Sequence, residues 1–119
     1  MIPWLVAAGI GALLVVSYWD EITSWLKSFC RKVASLLENR AVRGAVKIFA
    51  VNHGLNPALA DAAFEVIHRL FYREGGDWWQ EDTTARVNER EVPQWAKSGV
   101  TSSETDVTQK YQRELQLTL

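Results

Sequence analysis

Met1 to Trp19 (MIPWLVAAGIGALLVVSYW) carries no charged side chain, and a run of at least ~18 apolar residues reads as a membrane-spanning helix. At 1.5 Å per residue these positions make roughly 28 Å of helix, enough for a thin bilayer. Trp4 stands near one end and Tyr18 and Trp19 at the other, where amphipathic rings favour the headgroup level. A cleaved signal peptide fits poorly: no Lys or Arg precedes Lys27, and VVSYWD lacks a small-x-small cleavage site. A buried core helix of a soluble oligomer is the remaining alternative, because the run is at the short end for spanning.

On the spanning reading, basic residues set the orientation. Lys27, Arg31 and Lys32 follow the run closely and none precedes it, so the N-terminus is expected outside and the C-terminus in the cytoplasm. The same three residues would face lipid headgroups. Ala7, Ala8, Gly11 and Ala12 have small-xxx-small spacing, a pattern that lets two spanning helices approach closely and suggests a homo-oligomer.

Past the run, Ile22, Trp25, Leu26, Phe29, Val33, Leu36 and Leu37 recur at three- and four-residue intervals, which predicts an amphipathic helix from Asp20 to Glu38. It either packs into a core or lies in the membrane interface. Val42, Ala45, Val46, Phe49 and Ala50 form a second apolar set, read as a second helix after a break near Glu38 to Arg40. Asn52 to Pro57 (NHGLNP) is turn punctuation, and a third helix is expected from Pro57 to Arg73, its buried face built from Leu59, Ala63, Phe64, Val66, Ile67, Leu70 and Phe71.

Beyond Gly75-Gly76 the pattern changes. Asp77 to Val87 (DWWQEDTTARV) is rich in Trp and Thr and suits a strand or short hairpin. Pro93 and Gly99 bracket one helical turn. Val107, Tyr111 and Leu115 make a narrow seam on a last helix, and the ending LQLTL alternates as a strand would. The expected class is therefore mainly α: a transmembrane helix over 1–19, a helical unit over 20–73, and a mixed segment over 74–119.

The chain has 13 basic and 14 acidic residues, a net of −1, which lacks the basic footprint of a nucleic-acid binder. One cysteine excludes an internal disulfide and a multi-cysteine zinc site. Charge is uneven: Asp20 to Pro57 nets +3 and Ala58 to Leu119 nets −4. An anionic membrane surface would favour that basic half.

Chemistry-bearing motifs are few. Glu65-Val66-Ile67-His68 is an E-x-x-H, but a di-iron bundle needs a second copy and two further glutamates, and on a helix His68 would fall on the polar face. Cys30 reads as a small buried hydrophobe, with S-acylation as the alternative. No phosphate-cradling glycine loop follows Gly75-Gly76. No cofactor, metal, nucleic acid or small-molecule substrate is expected. The expected role is a non-enzymatic, membrane-anchored adaptor or small subunit that recruits a protein partner through Trp78, Trp79, Trp95, Val107, Tyr111 and Leu115. The alternative is a membrane-active effector that oligomerises through its span to permeabilise the bilayer.

Overall fold

A computed structural model describes residues 12–38, 43–54, 62–74 and 76–117. The elements run β1 (Ala12–Val15), α1 (Trp19–Glu38), β2 (Arg43–Asn52), β3 (Ala63–Glu74), β4 (Asp77–Asn88), a 3₁₀ turn (Glu89–Glu91), α2 (Gln94–Lys97), β5 (Thr105–Asp106) and α3 (Thr108–Leu115). The strands form one sheet in the order β1-β4-β3-β2-β5. β2, β3 and β4 are an antiparallel meander, and β1 lies parallel to β4 with Ala12 opposite Thr83.

This sheet corrects the mainly-α expectation. The second and third helices are the strands β2 and β3, paired from Arg43↔Arg73 to Asn52↔Phe64. Residues on a strand alternate between faces, and here both faces hold apolar side chains. Ile48 and Ala50 with Phe64, Val66 and Leu70 face one way, while Val51 and Ile67 are buried on the other. With both faces apolar, the period of two is hidden, and three- and four-residue spacings imitate a helix. The β-branched and aromatic content of AFEVIHRLFY suits the pleated surface.

The spanning helix is corrected by the same sheet. Among the described residues Ala12–Val15 is the edge strand of the sheet, bonded to Thr83–Arg86, and Val16 N–H continues the ladder to the Arg86 carbonyl at 2.9 Å. Trp19, expected at a headgroup level, begins α1 and is buried against Phe64, Trp95 and Tyr111 at ring-centroid distances of 6.4, 6.0 and 6.1 Å. Among the described residues no helix is long and apolar enough to cross a membrane. The single-pass topology, the N-out orientation and the membrane location drawn from it are therefore not supported.

α1 has a defined start. The Glu21 carboxylate accepts from the backbone N–H groups of Ser17 and Tyr18 at 2.8 and 3.1 Å, half of a capping box that satisfies otherwise orphaned donors. Ile22, Leu26 and Cys30 are fully buried against Ile48, Ala50, Phe64, Val66, Ala85 and Val87 of the sheet, and Val33 is buried further along the helix. The end of this layer is closed by Val92, Trp95, Ala96, Val107, Tyr111 and Leu117. There the Tyr111 hydroxyl donates to the Ala96 carbonyl at 2.9 Å.

Candidate functional surface

The two ends of the sheet differ in how they are finished. At the β2 side, β5 pairs Thr105 and Asp106 with Ala50 and Phe49. The Thr108 hydroxyl accepts from Ile48 N–H at 2.8 Å and donates to Asp106 at 2.6 Å, so this margin is closed by α3.

On the β1 side, among the described residues, large apolar side chains are exposed. Leu13, Leu14 and Val15 of β1 are 49, 41 and 70% exposed, Tyr18 just past its end is 63%, and Trp78 and Trp79 of β4 are 66 and 50%. These six are the exposed large hydrophobic residues among those described. β1 covers β4 only over Thr83–Arg86, so among the described residues the outer edge of Asp77–Asp82 has no neighbouring strand. Trp78 is in register with Arg73 and Trp79 with Tyr72, which puts the two indoles on opposite faces. Natural edge strands are guarded by charge, proline or a bulge, and Ala-Leu-Leu-Val has no charge and no proline. Beside it Val15, Val16, Ala62, Ala63, Arg86, Val87 and Asn88 line a cavity of about 270 Å³.

The remaining expected contact residues lie elsewhere. Tyr111 and Val107 are buried, and Trp95 and Leu115 are packed against the core. Val107 and Tyr111 thus lie inside the helix–sheet layer, and Trp95 and Leu115 are partly buried where it closes. Lys27, Arg31 and Lys32 are exposed on the outer face of α1. Ala12 is in β1, while Trp4, Ala7, Ala8 and Gly11 lie outside the described residues.

The E-x-x-H residues are separated by their strand. His68 points under α1 in register with Ile48 and Thr83, whereas Glu65 is on the opposite face with Arg86. Burial alone would raise the Glu65 carboxyl, but hydrogen bonds from Arg86 and His53 outweigh it and hold it below the usual carboxylate range. His68 is almost fully buried and neither ring nitrogen has a hydrogen-bond partner. Burial pushes its imidazole down to about 4, with the Asp82 charge opposing. Burial also pushes the Cys30 thiol up to about 11, far from the reactive thiolate range. Among the described residues no group of three His, Cys, Asp or Glu is placed to hold a metal ion.

Linear motifs also missed an ion cluster on the sheet face opposite α1. Arg69 donates to both carboxylate oxygens of Asp82, each at 2.9 Å, and to both of Glu104, each at 3.0 Å. Its guanidinium carbon sits 4.6 Å from the centroid of the Phe49 ring. These residues come from β2, β3, β4 and the segment before β5, so only register unites them. Comparison with protein-family models, with curated proteins and with solved structures returns no match.

Proposed function

We propose that the protein is a non-enzymatic binding module that takes an extended apolar segment of a partner protein along its β1 edge. The supporting observation is that the six exposed large hydrophobic residues among those described all belong to one margin of the sheet. Exposed apolar side chains gathered along one margin are a signature of interaction sites. An edge strand supplies unpaired backbone groups that an added strand satisfies, while pockets beside it select side chains. The 270 Å³ cavity next to Val15 suits one apolar anchor of the incoming segment, and Trp78 and Trp79 extend the contact along β4. Tryptophan is enriched where interfaces hold most of their energy.

The test compares affinity capture by the wild-type chain with capture by Val15→Glu and by the Trp78→Ala/Trp79→Ala pair. Light scattering on the same samples reports self-association. A partner retained by wild type and by Lys27→Gln, but lost from both edge variants, is the expected result. Capture that is indifferent to the edge, or loss only through self-association, would sink the proposal.

A further inference from the structure

A second concave site lies at the other side of the sheet, where β2, β5 and α3 meet. Lys47, Asp106, Thr108, Gln109, Lys110 and Arg113 line a cavity of about 490 Å³, within the range of roughly 300–1,000 Å³ typical of small-molecule sites. Three of the six are cations and one is an acid, a local excess of positive charge in a chain whose total is −1. Among the described residues, the Arg113 and Lys47 side chains form no ion pair or hydrogen bond, and Lys47 feels the Asp106 charge only at longer range. Lys110 donates to the neutral Ser98 carbonyl at 2.9 Å, which leaves its charge uncompensated.

The single acid is already engaged. Asp106 accepts from the Thr108 hydroxyl at 2.6 Å and from Thr108 N–H at 2.9 Å, and the Thr108 hydrogen bond, with help from Lys47, holds its carboxyl below the usual range. Asp106 thus takes the first N–H of α3, and the side-chain cations are what the cavity offers an anion. Like charges gathered in a concavity repel one another, and a multivalent anion reverses that term. Arg113 contributes a fork suited to two oxygens of one phosphate, and the lysines contribute point charges.

We infer that this cavity binds a phosphate-bearing small molecule through Lys47, Lys110 and Arg113. With three cations and one acid the lining carries a net of +2, so a lone carboxylate would leave one charge unmatched, whereas a phosphate dianion matches the excess. The site stands apart from the β1 edge and does not depend on the role proposed there.

Pyrophosphate is the probe, titrated into the full chain at about 0.15 M salt so that diffuse surface attraction is screened. Calorimetry is expected to give a dissociation constant below about 1 mM, with amide shifts centred on Gln109, Lys110 and Arg113. Arg113→Gln and Lys47→Gln should each weaken it by about tenfold, and Lys27→Gln should leave it unchanged. Sedimentation with phosphatidylcholine vesicles with and without phosphatidic acid separates the two sources of phosphate. Vesicle binding lost in the Arg113 and Lys47 variants assigns a headgroup, and pyrophosphate binding without vesicle binding assigns a free phosphate compound. No saturable pyrophosphate binding, equal affinity in the Gln variants, or equal weakening by Lys27→Gln would overturn the inference.

Discussion

Phe29 sets the edge of its ring against the imidazole of His68, with centroids 4.1 Å apart and planes inclined at 61°. Trp25 approaches the same imidazole at 6.5 Å. The helix therefore roofs a histidine whose nitrogens have no polar partner, an arrangement that favours the neutral ring because a buried charge loses its hydration.

That pairing predicts a pH-dependent stability. In the unfolded chain the ring takes up a proton near pH 6.5, and in the folded protein only near pH 4. Between those values the unfolded state binds more protons, so stability is complete above pH 6.5 and falls as pH drops through the window. The loss amounts to about 3 kcal/mol by pH 4. His68→Leu removes the titrating group and the unpaired nitrogens together, and thermal melts from pH 7 to 4 should be flatter than for wild type. Parallel slopes for the two proteins would refute this account.

Arg69 is held by two carboxylates in forked geometry. Lysine at this position keeps the charge and loses the fork, so Arg69→Lys is expected to cost about 1–2 kcal/mol. Urea denaturation measures it, and a double-mutant cycle with Glu104→Gln should show coupling. Independence of the two substitutions would mean that the cluster adds nothing beyond screened surface charge.

Gly44 lies in β2 opposite Tyr72, and a Cβ there would run into the carbonyl oxygen of Phe71 on the neighbouring strand. Backbone inside a sheet cannot shift aside cheaply, so Gly44→Ala should destabilise by at least about 2 kcal/mol. By contrast Val15→Glu, on an exposed position, should stay within about 0.5 kcal/mol of wild type. Comparing their melting temperatures checks both statements.

Tyr111→Phe tests the closure of the core. It removes the hydroxyl that donates to Ala96 and leaves a carbonyl unpaired on a fully buried residue, for an expected loss of about 1–2 kcal/mol. Tyr111→Ala should lose about 3–5 kcal/mol because it also empties the space between Trp19 and Trp95. Equal melting temperatures for wild type and Tyr111→Phe would show that the hydrogen bond is energetically idle.

Amphipathic spacing alone locates α1, since Ile22, Leu26 and Val33 repeat at helical intervals and Lys27, Arg31 and Lys32 take the outer face. The turn glycines are legible too: Gly76 and Gly99 adopt φ of 87° and 77°, a region that glycine enters without penalty. Trp78 and Trp79 stand out by residue type. Their companions Leu13, Leu14 and Val15 do not, because a charge-free run suits a lipid-facing helix and an open edge strand equally well.

What the sequence determined by itself is local: the amphipathic helix, its turn of acidic residues at the start, and the abundance of apolar surface to be buried. Tertiary structure decided the rest. A four-residue stretch such as Ala12–Val15 has no intrinsic commitment, and it becomes a strand because β4 offers Thr83–Arg86 as hydrogen-bond partners. β2 and β3 are strands because each satisfies the other's backbone over ten paired positions. The cations at Lys47, Lys110 and Arg113 become one site only when α3 folds onto the edge of β2. Hydrogen bonding between distant segments leaves no periodic trace in either segment alone, so these relationships emerge only when the chain has folded.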